Sequence, residues 1–212
     1  MKYRIFNVLP EFGTNTYLLE DEQSRQAAII DLAAPDPRVV DFIKKTDLVL
    51  KYIINTHGHG DHIAGNGLLK EHFQAELLIH RADADMLLKP ARNLSLLWGH
   101  HVISPPADRL LAGGEKIFLG ESEIEVISTP GHTPGGICLF TGELLFCGDT
   151  LFAGSIGRTD LPGSDHRGLI KVIRNRLFLL PDNTIVLPGH GPVTTIGTEK
   201  INNPFVGQTA NF

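Results

Sequence analysis

The feature that most constrains this chain is a group of four possible metal ligands within six residues, directly after an apolar stretch. Residues 49–54 predict a buried strand, and the segment that follows is Thr56-His57-Gly58-His59-Gly60-Asp61-His62. Imidazole nitrogens and carboxylate oxygens bind zinc or iron at about 2.0–2.2 Å. Gly58 and Gly60 give the loop the conformational freedom to present alternate side chains to two neighbouring ions. A single histidine here would usually be structural, but four such side chains so close together predict a metal site.

Three further segments place a possible ligand beside glycine just after an apolar strand. They are Gly131-His132-Thr133-Pro134-Gly135, Gly148-Asp149-Thr150 and Pro188-Gly189-His190-Gly191. Each one alone is weak, because Asp149 could simply form a turn and His190 could be an ordinary loop histidine. Since all three share the position at a strand end, together with the first group they predict one site assembled at one edge of a sheet structure.

The hydrophobic pattern predicts two halves of similar length, each with strands first and a helix later. In the first half we predict strands at 3–8, 16–19, 27–30, 49–54 and 77–79, with helices at 37–45, 64–72 and 82–87. In the second half we predict strands at 117–119, 124–128, 137–140, 144–147 and 185–187, with a helix at 168–180. This order predicts an α/β (α+β) protein built as a four-layer αββα sandwich. No Pro/Ser-rich linker divides the chain, so one domain over residues 1–212 is expected.

Residues 88–106 carry a weaker pattern, and two interpretations stay open there. The segment, which contains Trp98, His100 and His101, could be a flap over the site or a plain surface connection. We expect Trp98 to be a packing residue rather than a stacking platform for a ligand.

Composition narrows the functional classes. The formal net charge of −5 and the lack of a Lys/Arg run argue against a nucleic-acid partner. No apolar run approaches the roughly 18 residues needed to cross a bilayer, and the N-terminus lacks the apolar core of a signal peptide. Cys138 and Cys147 lie in apolar stretches, where buried reduced thiols are expected. We therefore expect a soluble, cytoplasmic protein without a membrane partner.

The motifs THGHGDH, GHTPGG, GDTLF and PGHGP, in this order, resemble those of the metallo-β-lactamase superfamily and specifically its glyoxalase II-like branch. The resemblance covers nearly the whole chain up to His190 and extends to the compact type II hydroxyacylglutathione hydrolases. It implies that a first metal is held by His57, His59 and His132. It implies that a second metal is held by Asp61, His62 and His190, and that Asp149 bridges both.

The resemblance also carries two departures. The true β-lactamase branch has a cysteine ligand where Asp149 stands, so antibiotic hydrolysis is disfavoured. Only 25 residues follow Leu187, too few for the helical C-terminal domain that supplies glutathione contacts in full-length glyoxalase II enzymes. Glutathione recognition is therefore less secure than thioester chemistry.

The expected chemistry is hydrolysis. Two cations roughly 3.5–4 Å apart can share a water and lower its pKa, and the resulting hydroxide attacks a carbonyl that a metal polarises. The chain has no G-x-S-x-G motif and no cysteine placed for catalysis. Asp61 is expected to assist proton transfer, and Asp149 to hold the reacting centre. The resemblance implies an S-lactoylglutathione or related hydroxyacylglutathione substrate, two divalent metals (zinc first, with iron or manganese also suitable), and a monomer or homodimer.

Several alternatives remain at this point. A mono-iron glutathione persulfide dioxygenase would need two histidines and one carboxylate, which His57, His132 and Asp149 could supply. A lactonase or esterase would use the same electrophile. A processing nuclease is disfavoured because the charge is acidic and no basic arm is inserted. A non-enzymatic binding or flavoprotein module is disfavoured because all seven ligands are retained.

Side chains outside the seven-residue set receive simpler interpretations. Arg158 could bind a substrate carboxylate through paired hydrogen bonds, or it could form a buried structural contact with Asp160. The remaining histidines are expected to be structural or at the surface, with His100 and His101 lining the cavity only if their segment is a flap. They are His72, His80, His100, His101 and His166.

Overall fold

Two six-stranded sheets form the centre of the structure, a computed structural model that describes residues 1–208 and 210. Strands are numbered along the chain. The first sheet has the spatial order β1 (Lys2–Leu9), β2 (Thr14–Glu20), β3 (Gln26–Ile30), β4 (Val49–Ile54), β5 (Glu76–His80) and β6 (Arg109–Leu111). The second has the order β14 (Thr194–Thr195), β13 (Ile185–Pro188), β10 (Leu144–Gly148), β9 (Ile137–Phe140), β8 (Ser122–Ser128) and β7 (Lys116–Leu119). A small hairpin pairs β11 (Leu151–Phe152) with β12 (Ser155–Ile156).

Helices connect and cover the sheets. They are α1 (Pro37–Lys45), α2 (Gly60–Ile63), α3 (Asn66–His72), α4 (His166–Asn175) and α5 (Ile196–Asn202), with short 3₁₀ turns at Ala84–Leu88, Ser95–Trp98 and Leu177–Leu179. Across residues 1–208 and 210, none of these helices has the length and apolar character needed to cross a membrane.

Three apolar clusters define the layers. One lies between the two sheets and includes Tyr17, Ile54 and Phe146. A second joins the outer face of the first sheet to α1 and α3, and a third joins the outer face of the second sheet to α4 and α5. Because each sheet buries both of its faces, the layers run helix, sheet, sheet, helix. The predicted αββα sandwich is confirmed.

Parallel pairing brings the ligand-bearing loops to one edge. In the first sheet β3, β4 and β5 are mutually parallel neighbours, and in the second β10 is parallel to β13. The carboxyl ends of parallel strands meet at the same edge of a sheet. The loops after β4, β10 and β13 therefore converge, together with the residue that follows β3.

Most predicted elements agree with the structure, and the differences have local causes. The predicted bounds of α1 and β4 match those observed. The helix predicted at 168–180 was wrong at both ends: α4 begins at His166, because the Asp165 side chain accepts from the Gly168 N–H, and ends at Asn175. The helix predicted at 82–87 is a 3₁₀ turn, and the helix predicted at 64–72 begins only at Asn66. The short β6, β11, β12 and β14 and the helices α2 and α5 were missed, and the segment of α2 was expected to be part of a loop.

Candidate metal centre

The first group of the centre consists of three buried histidines from two loops. His57 and His59 lie between β4 and α2, and His132 lies between β8 and β9. One ring nitrogen of each lies within 4.8 Å of the others. The His132 Nε2 and the His59 Nδ1 are only 2.9 Å apart. Each of the three imidazole rings therefore places one nitrogen atom close to a common point.

The second group combines one carboxylate with two histidines. Asp61 and His62 belong to α2, and His190 follows β13. The Asp61 Oδ2 lies 3.6 Å from the His62 Nε2 and 3.4 Å from the His190 Nε2. The two Nε2 atoms are 3.3 Å apart. This group contains ligands from both halves of the chain.

Asp149, directly after β10, lies between the two groups. Its Oδ1 is 3.5 Å from the His62 Nε2, and its Oδ2 is 3.5 Å from both the His132 Nε2 and the His190 Nε2. A Cβ built on Gly189 would lie 2.3 Å from the Asp149 Oδ1, so no larger residue fits there without displacing the carboxylate. The neighbouring glycine thus permits the close approach that the sequence indicated.

The side chains present fit cations. The His57 Nε2 and the Asp149 Oδ1 are buried and have no hydrogen-bond partner among the described residues, although buried polar atoms normally have one. For tetrahedral ligands at about 2.0–2.1 Å, neighbouring ligand atoms lie roughly 3.4 Å apart. The contacts among His59, Asp61, His62, His132, Asp149 and His190 range from 2.9 to 3.6 Å, and a ring nitrogen of His57 lies within 4.8 Å of those of His59 and His132. The arrangement could hold two metal ions; that these seven residues do bind metal stays a prediction.

Two histidines of the first group, His57 and His59, disfavour protons. Burial, reinforced by the neighbouring imidazoles, holds the pKa of His57 well below its usual value. Burial and the nearby His132 lower the pKa of His59 to about 3. Both rings are therefore neutral at physiological pH, which is the form that binds metal.

The carboxylate-containing group attracts positive charge. Although burial opposes ionisation of Asp61, the adjacent His62 and His190 hold its pKa below the usual range. Burial opposes protonation of His62, but Asp61, Asp149 and Asp31 together raise its pKa to about 10. Without a metal ion, protons supply the positive charge that these carboxylates stabilise, and a cation must displace them to bind.

Hydrogen-bond partners at the second ring nitrogen orient three of the imidazoles. The second ring nitrogen of His62 lies 3.0 Å from the Asp31 Oδ2, that of His132 lies 2.8 Å from the Arg158 carbonyl oxygen, and that of His190 lies 2.9 Å from the Phe12 carbonyl oxygen. Such partners fix the tautomer that leaves the other nitrogen available to a metal.

Two buried carboxylates in this arrangement were missed from the sequence. Asp31 accepts hydrogen bonds from the Thr56 N–H and hydroxyl at 2.8 and 2.6 Å. Asp83 accepts from the Gly58 N–H at 3.1 Å and the Gly135 N–H at 2.7 Å, which ties the first histidine loop to the loop of His132. Asp31 lies at the end of a predicted strand, as the predicted metal ligands do, so its position in the sequence could have identified it as part of the site. Asp83 had no such signal.

A cavity of about 490 Å³, which we call the metal cavity, is lined by five of the seven side chains: His59, Asp61, His132, Asp149 and His190. Its walls include Leu94, Leu97 and Trp98 from the segment of weak sequence pattern, and Phe152 and Leu161 from the opposite side. Asn93 holds that segment in place, because its buried amide donates to the Met86 and Val102 carbonyls. Leu94, Leu97 and Trp98 of this segment thus line the metal cavity, whereas His100 lines a different cavity.

Sequence comparison assigns the family. The sequence profile of the Metallo-beta-lactamase superfamily matches residues 9–190. The chain belongs to the metallo-beta-lactamase superfamily. Among similar superfamily members, the probable metallo-hydrolase YqgX of Bacillus subtilis is 34% identical over 209 residues, 97% of this chain and 98% of that protein. The hydroxyacylglutathione hydrolase GloC of Haemophilus influenzae is 37% identical over 203 residues, 92% of this chain and 93% of that protein.

Solved structures of superfamily members share the fold. The BLEG-1 B3 metallo-beta-lactamase superposes with a TM-score of 0.91 at 35% identity, covering 97% of this chain and 99% of that one. ETHE1 from Myxococcus xanthus superposes with a TM-score of 0.82 at 32% identity, and the match covers 97% of this chain and 84% of that one. TTHA1623, solved in a di-iron-bound form, superposes with a TM-score of 0.82 at 31% identity, and the match covers 97% of this chain and 100% of that one.

For the side chains outside the cluster, some of the predictions made from the sequence agree with the structure and one does not. The Arg158 guanidinium forms paired hydrogen bonds of 3.0 and 2.9 Å with Asp160, but both side chains are about two-thirds exposed, so the expectation of a buried contact was wrong. Arg158 also lines the metal cavity. His80 is buried and bonds to the Ala112 carbonyl. Cys138 and Cys147 are free, buried thiols, as expected.

Proposed function

We propose that this protein is a metal-dependent hydrolase that cleaves a thioester, with S-lactoylglutathione or a related hydroxyacylglutathione as substrate. The observation that carries the proposal is the convergence of seven ligand-type side chains in two adjoining groups, five of these side chains lining an open cavity. The similarity to a hydroxyacylglutathione hydrolase over nine-tenths of both chains supports the thioester.

In the proposed assignment, His57, His59 and His132 hold one cation, Asp61, His62 and His190 hold the other, and Asp149 binds both. Zinc is our first choice, and iron or manganese also suits these ligands; a di-iron form of a similar structure supports iron. When bound, the two cations would supply Lewis-acid polarisation of the substrate carbonyl and a lowered pKa for water.

The chain's own groups would orient the substrate and handle its proton. The Asp61 Oδ2, which accepts a 3.3 Å hydrogen bond from the Thr14 hydroxyl, lies in the cavity wall and can take up the proton that water loses. Arg158 at the cavity rim can bind a carboxylate of the thiol part, if its pairing with Asp160 opens. Leu94, Leu97 and Trp98 exclude water from one side.

The test compares Asp149→Asn with wild type for S-lactoylglutathione hydrolysis, following thiol release and metal content together. We expect the variant to lose more than about 100-fold in kcat/KM, the upper end for losing an outer partner of a metal ligand, and to bind fewer ions. Asp41→Asn, an exposed change on α1, is the matched control and should behave as wild type. A fully metal-loaded wild type without thioesterase activity would overturn the proposal.

A persulfide dioxygenase is the second candidate, favoured by the similarity to ETHE1 from Myxococcus xanthus. It would use one iron on His57, His132 and Asp149, the two-histidine, one-carboxylate set. Oxygen uptake with glutathione persulfide, measured on iron-loaded protein, distinguishes this reaction from hydrolysis because hydrolysis consumes no oxygen.

Other acyl compounds belong in the same substrate panel. A lactone presents a similar electrophilic carbonyl to the site. A β-lactam is included because one similar structure is named a B3 metallo-beta-lactamase. Turnover of either compound with a kcat/KM above that of the thioester would replace our substrate assignment while keeping the same seven residues.

A further inference from the structure

A second cavity, of about 220 Å³, adjoins the metal cavity and has no role in the proposed function so far. Six of its wall residues are Leu9, Phe12, Ala34, Ala64, Trp98 and Val102. Asp61 and Trp98 line both cavities, so they form the partition between the two. A group held at the cluster is therefore next to both spaces.

The two cavities differ in chemistry. The walls of the second cavity are mostly aliphatic and aromatic, and Asp61, Ser95 and His100 are the polar side chains among them. The metal cavity is instead lined by five ionisable residues of the cluster and by Arg158. Since apolar surface favours apolar ligands, the second cavity suits hydrocarbon and the metal cavity suits a polar group.

A contact between two distant segments holds the partition. The Phe12 and Trp98 rings meet edge to face with centroids 5.1 Å apart. The Phe12 carbonyl oxygen lies 2.9 Å from the His190 Nδ1, so the same residue contacts both the cluster and the second cavity. The position of the partition is thus fixed relative to the reacting centre.

We propose that the second cavity, the acyl cavity, takes the hydrocarbon chain of the substrate's acyl group while the thiol part occupies the metal cavity. This inference rests on the proposed function, because a thioester carbonyl carries two substituents that must leave the cluster in different directions. It names the substrate class as thioesters with an unbranched apolar acyl chain longer than lactoyl. An acyl chain ending in a carboxylate is disfavoured, since burying that charge between mostly apolar walls costs free energy.

The kinetic test uses glutathione thioesters with lactoyl, butanoyl, hexanoyl and adipoyl groups. Each buried methylene is worth about fourfold, so kcat/KM should rise at least tenfold from butanoyl to hexanoyl and fall again for adipoyl. Ala34→Leu and Val102→Phe, introduced from different walls of the acyl cavity, should abolish that rise and should lower kcat/KM more for hexanoyl than for lactoyl. Ala112→Leu, at an exposed position, is the matched control and should keep the rise.

A binding test works without catalysis, because Trp98 is the only tryptophan in the sequence. 1-Hexanol carries the chain but no thiol or carbonyl, and it should change Trp98 fluorescence saturably in wild type and in Ala112→Leu. In Ala34→Leu and Val102→Phe its Kd should rise at least tenfold. Thermal melts of all four proteins establish that the variants are folded.

The outcomes separate the two proposals. Thioester hydrolysis without chain-length preference, together with hexanol binding that neither filling variant weakens, overturns the acyl cavity and keeps the proposed function. Failure to hydrolyse any thioester overturns the proposed function and the acyl assignment with it. Loss of the hexanoyl preference and of hexanol binding in both filling variants, with lactoyl turnover reduced less than hexanoyl turnover, supports the acyl cavity.

Discussion

At the scale of single residues, Asp31 shows how a carboxylate outside the seven-residue set prepares the cluster. It is buried and adopts a φ of +53°, a conformation that Asp tolerates better than most residues. Its Oδ2 accepts from the Thr56 hydroxyl and lies 3.0 Å from the His62 Nδ1. With the Nδ1 proton held by Asp31, the His62 Nε2 is left to face Asp61 and Asp149.

We predict that Asp31→Asn weakens metal binding about 10- to 100-fold, because the amide is uncharged and attracts the His62 Nδ1 proton less strongly. Competition with a chromophoric chelator measures the change in affinity. Asp41→Asn should leave the affinity unaltered. Equal affinities for wild type and Asp31→Asn would show that Asp31 serves the backbone of Thr56 alone.

The sequence predicted the seven cluster residues because they lie close after apolar strands and six of them are directly beside glycine, a local signal. It did not predict Asp31 or Asp83 as partners, because their hydrogen bonds reach loops 25 or more residues away. Nothing near Asp83 in the sequence indicates which loops it joins. Tertiary contacts of this kind depend on how the elements pack, and a single sequence does not show that.

At the scale of elements, α1 is stabilised at its first turn by a charged cap. The Asp36 carboxylate accepts from the Arg38 N–H at 2.9 Å and pairs with the Arg38 guanidinium. These hydrogen bonds from Arg38 lower the pKa of Asp36 below its usual 3.8. Because the folded-state pKa is the lower one, the stabilisation is present above pH 3.8 and is lost as the pH falls through the folded value.

We predict that Asp36→Ala lowers the free energy of unfolding by about 1 kcal/mol at pH 7, and that the difference shrinks below about pH 3.8. Urea denaturation at pH 7, 5 and 3.5 follows the change. Asp41→Ala, an exposed substitution within the same helix, should not lower stability. A difference between wild type and Asp36→Ala that is constant over this range would contradict an ionic cap.

Periodicity predicted the long elements and failed for the short ones. It located α1 and β4 because both have clear apolar patterns and recognisable ends. It joined α4 to the following 3₁₀ turn, since the apolar pattern continues through Leu177–Leu179 although the backbone of Arg176, with φ −126° and ψ −60°, leaves the helix. The two-residue strands β11, β12 and β14 are too short to show any alternation.

At the scale of the whole molecule, the cluster joins the two sheets. Its ligand-type residues run from His57, after a strand of the first sheet, to His190, after a strand of the second. An unfolded chain does not hold these side chains together, so a cation bound by all of them stabilises the folded state alone.

We predict that chelation lowers Tm by about 5–10 °C relative to protein with free zinc at about 100 times its Kd, corresponding to about 2.7 kcal/mol at roughly 2–4 °C per kcal/mol for a chain of this size. Calorimetric melts before chelation, after it and after zinc is restored provide the measurement. The Tm of Asp149→Asn should respond much less. An unchanged wild-type Tm would mean that the cluster does not hold zinc.

The two buried cysteines have a consequence for the conditions in which this protein can work. Burial raises the pKa of Cys138 to about 12 and that of Cys147 well above its usual value. Disulfide exchange requires an accessible thiolate. A thiol released at the metal cavity, or a persulfide arriving there, therefore finds no sulfur on the folded chain with which to form a mixed disulfide. Catalysis among reactive sulfur compounds would leave the protein covalently unmodified.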